Sequence, residues 1–178
     1  MITKEITQVG NPLIRAKAKK VTNLKSKKVQ QIIADLADSM KHYNLVGMAA
    51  PQIGKSFRIF VSEIRETKLR KDQSVKNVDQ LRIYINPQII WRSKKQVIGY
   101  EGCGSVAFAN IFGSVKRPKS VIVKAQDKDG NIFKLKADNL LARVIQHEYD
   151  HLDGIVFTDK ADPKSFMSRN EHLKKFKK

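Results

Sequence analysis

His147-Glu148-Tyr149-Asp150-His151 places two imidazoles four residues apart, on one face of any α-helix, so both can reach a single ion. Glu148, beside the first histidine, can then act as base toward a water at that ion. Burying two imidazoles and a carboxylate on an otherwise apolar helix is costly unless a metal is there to hold them. Two histidines leave a tetrahedral site incomplete, because catalytic sites usually combine three protein ligands with one water. Downstream, Asp159, Asp162, Glu171 and His172 fall in no recognisable extension of the motif. Upstream, Tyr100-Glu101-Gly102-Cys103-Gly104-Ser105 holds the chain's single cysteine between two glycines. Glycines there let the backbone come close to an ion, and the Cys103 thiolate would complete a Cys-His-His set. A lone cysteine also excludes an internal disulfide.

These residues must be carried by definite elements. Residues 139–152 read as a helix with Asp138 or Asn139 as N-cap and Asp153-Gly154 as the stop. Leu140, Val144, His147 and His151 form one stripe, and Leu141, Ile145, Glu148 and Leu152 the next. Both stripes begin apolar and turn polar at the motif, as in a helix that leaves the core to line a pocket. Residues 26–43 read as a second amphipathic helix with Val29, Ile32, Ile33, Leu36 and Met40 at helical spacing, ending near Asn44 and Gly47. Lys25, Lys27 and Lys28 stand at its start, against the helix dipole. Strands are expected over Phe57–Ser62, Leu81–Ile85, Ser120–Gln126 and Ile132–Lys136, the last two joined in a hairpin through Asp127–Asn131. Arg65–Gln80 is polar and expected as a surface loop, and Asp162-Pro163 as the opening of a basic C-terminal helix. No repeat or interdomain linker interrupts the chain. The order implies one domain over residues 1–178, of α+β class, with antiparallel or mixed sheets packed around a central helix.

With 178 residues, 41% hydrophobic and 29% charged, the chain can bury a substantial core. No apolar run is long enough to span a bilayer, and the start lacks the hydrophobic stretch of a signal peptide, so a cytoplasmic location without membrane contact is expected. The net charge of +18 favours polyanionic partners. No aromatic-interleaved RNA-binding motif accompanies it, so any nucleic-acid contact would be to phosphates.

Three motifs together resemble the peptide deformylase family, the metal hydrolases that remove the N-formyl group from nascent bacterial and organellar proteins. Gly47-Met48-Ala49-Ala50-Pro51-Gln52 is similar to G-x-G-x-A-A-x-Q, Glu101-Gly102-Cys103-Gly104-Ser105 to E-G-C-x-S, and Gln146-His147-Glu148-Tyr149-Asp150-His151 to Q-H-E-x-D-H. Gly10-Asn11-Pro12-Leu13 and Leu152-Asp153-Gly154 also look family-like. The resemblance implies that Cys103, His147 and His151 hold one divalent ion, commonly Fe(II) in this family, with zinc, nickel or cobalt also able to occupy such a set. It implies Glu148 as the base, with the Gln52 amide and the Gly104 N–H as donors to the developing oxyanion. Glu101 and Asp150 would orient the loop and the ligands, and Gly47, Val46, Met48, Leu140 and Val144 would receive the substrate's methionine.

Three departures mark this chain. Leu45 stands where the first motif usually has Gly, Gly104 replaces the usual Leu of E-G-C-L-S, and Ser105-Val106-Ala107-Phe108-Ala109-Asn110 resembles the S-V-A-G branch of organellar and divergent bacterial members. The expectation is a monomeric enzyme that acts on N-formyl-methionyl peptides and contacts the ribosome through the basic tail, Lys164 to Lys178. The alternatives are a divergent hydrolase of other N-acyl peptides and a non-catalytic ribosome- or RNA-binding protein with an inert site.

Overall fold

Residues 4–65 and 79–176 are described by a computed structural model. In chain order the elements are helix α1 (Pro12–Arg15), helix α2 (Lys27–His42), strand β1 (Gly47–Ala49), a 3-10 turn (Ala50–Ile53), β2 (Ile59–Ile64), β3 (Asp79–Arg92), β4 (Gln96–Gly102), β5 (Ile111–Pro118), β6 (Ser120–Gln126), β7 (Ile132–Asp138), helix α3 (Asn139–Leu152), β8 (Met167–Ser168) and helix α4 (Arg169–Phe176). Five strands pair in the order β1-β2-β3-β6-β7, and β4-β5-β8 form a smaller sheet; every strand pairing is antiparallel.

Alternation along the strands builds two apolar layers on the larger sheet. Met48, Ile59, Val61 and Ile85 pack with Val29, Ile32, Leu36 and Met40 of α2. Ala49, Phe60, Tyr84, Val121, Val123 and Ala125 pack with Ala142, Ile145 and Leu152 of α3. A sheet covered on both faces explains why Ile59–Val61 is a continuous apolar run rather than an alternating one. On its other side α3 meets the smaller sheet: the Arg143 guanidinium donates to the carbonyls of Val97 and Val115, at 3.0 Å each. The helix with the metal motif therefore lies between two antiparallel sheets, as the α+β reading expected.

The two long helices and the 127–131 hairpin fall where their patterns place them. Ser26 caps α2 by accepting the Val29 N–H, and Asn44 ends it with φ 56. In the hairpin, Asp127 accepts the N–H groups of Asp129 and Asn131, while Gly130 takes φ +92. Asp138 flanks α3 but bonds Ser120 instead of capping the helix.

Other expectations need correction. β3 does not stop at Ile85: it continues through a register shift to Arg92, because the Asn86 side chain takes both backbone groups of Val21, at 2.8 and 2.9 Å, and steadies the interruption at Pro87. The loop expected over 65–80 gives its last two residues to this strand, and residues 66–78 lie outside the described ones. Asp162-Pro163 opens only a short turn, Pro163–Ser165; β8 follows, and the C-terminal helix begins at Arg169. That helix docks through rings, with His172 stacked on Phe112 at 4.2 Å and Phe176 against Tyr100 at 5.2 Å.

Candidate metal centre

The turn after β4 and the third and fourth turns of α3 meet at one point. The ligand atoms of Cys103, His147 and His151 lie within 4.8 Å of one another. Cys103 Sγ is 3.2 Å from His151 Nε2, and His147 offers its outer Nδ1 to Glu101 at 2.9 Å, which leaves Nε2 for the centre. A carboxylate behind a ligating histidine fixes its tautomer and raises its basicity. Burial, together with the neighbouring His147, pushes His151 well below the ordinary histidine value and so keeps it neutral, the form that binds metal. Burial opposes charge on His147 too, but the Cys103 and Glu101 contacts overrule it and raise that imidazole. One soft and two borderline donors gathered this closely, with Cys103 and His151 buried and His147 half-buried, fit a single divalent ion.

Glu148 shows what the site demands of its surroundings. It is 4% exposed, its Oε2 has no hydrogen-bond partner among the described residues, and burial raises its pKa to about 7. A carboxyl tuned near neutrality can both take and return a proton. It fits only because residue 47 has no side chain: a Cβ there would fall on the Glu148 carboxylate and come within 2.8 Å of Val144 Cγ1. Alternation along β1 then turns Met48 away. Met48 is fully buried in the cluster with α2. Val144 is buried against Gly47, while Val46 and Leu140 are half-buried.

Gln52 reaches the centre from the 3-10 turn after β1. Its Oε1 accepts the Ala49 N–H at 2.8 Å, fixing the amide plane so that Nε2 faces Cys103 Sγ at 3.6 Å. The Ser105 N–H also points at the sulfur, at 3.4 Å. Gly104 is buried between Ile6 and Leu45.

Behind the ligands lies an ionic network whose cations were not anticipated. Arg117 donates to both oxygens of Glu101, at 2.6 and 2.8 Å, and to Asp150 at 2.8 Å. Arg143 adds a 2.6 Å bond to Glu101, and Lys160 one of 2.6 Å to Asp150. Burial alone would raise the Glu101 carboxyl, but the Arg117 and His147 bonds hold it well below the usual carboxylate range. Arg143 was legible, since it stands one helical turn before His147 on the same face. Arg117 was not, because its inward direction follows only once β5 is known to be a strand.

The family model for polypeptide deformylase matches residues 3–167. The chain belongs to the polypeptide deformylase family. It is 41% identical over 158 residues to the peptide deformylase of Dictyoglomus thermophilum, a match covering 89% of this chain and 92% of the relative. The peptide deformylase of Natranaerobius thermophilus is 37% identical over 162 residues, covering 91% and 94% of the two chains. The crystal structure of the Thermotoga maritima peptide deformylase matches with TM-score 0.77 at 31% identity, over 92% of this chain and all of that one. A Met-Ala-Ser-bound class I type b peptide deformylase from Acinetobacter baumannii matches with TM-score 0.80 at 27% identity, over 90% of this chain and all of that one. Membership of the deformylase family, first read from three short motifs, thus extends over most of the chain.

Proposed function

We propose that the Cys103–His147–His151 centre hydrolyses the formyl amide at the N-terminus of formyl-methionyl polypeptides, releasing formate and a free amine. The observation that carries this reading is the convergence of those three ligand atoms beside a buried Glu148 whose Oε2 has no hydrogen-bond partner among the described residues and whose pKa is raised to about 7. A divalent ion bound there supplies a Lewis acid and a means of ionising water near neutral pH. Glu148 accepts the proton lost by the attacking water and delivers it to the departing amine. Gln52 Nε2 and the Gly104 N–H donate to the carbonyl oxygen as the formyl carbon becomes tetrahedral. Gly47 and Val144 lie next to the base, and in this reading the methionine side chain packs there, with the half-buried Val46 and Leu140 extending the pocket. The Acinetobacter structure with Met-Ala-Ser bound supports a short methionyl peptide as occupant of this cleft.

Fe(II) is the native ion in this reading, with zinc, nickel or cobalt able to replace it. The enzyme acts as a cytoplasmic monomer, and no helix among the described residues is long and apolar enough to cross a membrane. Contact with ribosomal phosphates would use the basic tail from Lys164 onward. Affinity for ribosomes that does not fall with salt, or that survives neutralising Lys164 and Lys174, contradicts that contact.

Formate release from formyl-Met-Ala-Ser by anaerobically prepared, Fe(II)-loaded protein tests the activity. Release is expected, with Glu148→Ala slower by about 100-fold or more. No release with iron, zinc, nickel or cobalt contradicts the activity, and equal rates in the variant contradict the role of Glu148.

A further inference from the structure

Residues Ile6 to Val9 cross both loops that carry the oxyanion donors. The Thr7 N–H bonds the Gln52 carbonyl and the Val9 N–H the Ser105 carbonyl, each at 2.8 Å. Between them, the Gln8 side chain works at both ends. Its Nε2 donates to the Gly104 carbonyl at 2.9 Å and the Ile6 carbonyl at 3.1 Å, while its Oε1 accepts the Phe108 N–H at 3.2 Å.

The Phe108 end is under strain. Ala107, Phe108 and Ala109 have φ of 47, 52 and 59, three successive non-glycine residues in the left-handed region. That region is unfavourable for any residue that carries a Cβ. Burial of Phe108 does not offset this, since the residue is 60% exposed. What holds the turn is hydrogen bonding: the Ala109 N–H to the Cys103 and Val106 carbonyls, at 3.1 and 3.0 Å, and the Phe108 N–H to Gln8.

The Gly104 end matters more for chemistry. The carbonyl that Gln8 binds shares a peptide plane with the Ser105 N–H, and that N–H points at Cys103 Sγ at 3.4 Å. Fixing the oxygen fixes the direction of the N–H, and a bond to the oxygen polarises the same peptide. The preceding residue boundary carries the Gly104 N–H itself.

We propose that Gln8 is a positioning residue for the Cys103 thiolate, holding the strained turn with Oε1 and, with Nε2, orienting the 104–105 peptide whose N–H meets the sulfur. The proposal rests on Cys103 as a metal ligand. Two variants of the full chain separate the two ends. Gln8→Ala removes both contacts. Gln8→Glu keeps an acceptor for Phe108 but sets a second oxygen against the Gly104 carbonyl.

The probe is cobalt(II) alone, read by its thiolate charge-transfer absorption, together with kcat and KM on formyl-Met-Ala-Ser and the melting temperature. Both variants are expected to shift the cobalt–thiolate band and to lose about tenfold in kcat with KM within about twofold, the scale of an outer partner of a metal ligand. Gln8→Glu should do so while melting within a few degrees of wild type, and it decides alone if Gln8→Ala does not fold. A wild-type band and kcat in Gln8→Glu overturn the role of Gln8. A wild-type protein with no thiolate band overturns the ligand assignment instead.

Discussion

Leu45 borders, together with Ile6, the space that a side chain at Gly104 would enter. A Cβ built on Gly104 comes within 3.2 Å of Leu45 Cδ1 and 2.9 Å of Ile6 Cδ1. The two departures from the family motifs, Leu where Gly is usual and Gly where Leu is usual, are thus neighbours in space. Gly104 has no φ in the left-handed region, so its lack of a side chain is a matter of room rather than of backbone conformation.

Gly104→Leu should destabilise the protein by about 1–3 kcal/mol through overpacking. Leu45→Gly opens the room and should make the double variant more stable than the sum of the single effects by more than about 0.5 kcal/mol. Urea denaturation of the four proteins measures this. Additive effects would mean that the two positions are independent.

Glu148 should cost stability in the metal-free protein. Burial raises its pKa from 4.5 to about 7, so folding is penalised increasingly as the pH rises from 4.5 through 7, and fully above that. Metal-free Glu148→Gln should therefore exceed wild type in stability by on the order of 3 kcal/mol at pH 8, with the gap closing toward pH 4.5. A gap that does not change with pH contradicts the assigned environment.

Glu101 should behave in the opposite sense. Its folded pKa is depressed, so its contribution is complete above the unfolded value of 4.5 and is lost as the pH falls below it. Glu101→Gln leaves Arg117 buried without its main partner and should cost about 3–5 kcal/mol at pH 7. That cost should shrink by about 1.4 kcal/mol per pH unit below 4.5. The variant should also bind zinc about 10–100-fold more weakly, because His147 loses its partner at Nδ1. Equilibrium unfolding against pH and zinc competition titrations measure the two effects.

Metal removal should lower the melting temperature of wild type. Zinc at 100 times its dissociation constant should restore about 2.7 kcal/mol. Cys103→Ser should recover much less under the same zinc concentration, and an equal gain in that variant would exclude the thiolate as ligand.

The site was more legible than the scaffold. His147, Glu148 and His151 could be read from helical spacing alone, and Cys103 from its isolation between glycines. Those signals are local. β1, β4 and β5 are hidden because their glycines answer distant demands: Gly47 gives way to Glu148, Gly99 to the Arg143 guanidinium, Gly102 to the Phe112 ring and Gly113 to the Phe166 ring; β8, Met167–Ser168, is too short to carry a pattern. A one-dimensional pattern reads such glycines as loop. The roles of Arg117 and Gln8 were hidden for the same reason, since each acts on residues about 16 to 100 positions away.

X-ray absorption at the metal edge of the zinc-loaded protein tests the centre most directly. One sulfur at about 2.3 Å and two imidazole nitrogens at about 2.0–2.1 Å are expected, with the sulfur lost in Cys103→Ser. A shell of nitrogen and oxygen alone in wild type would contradict the Cys103–His147–His151 centre.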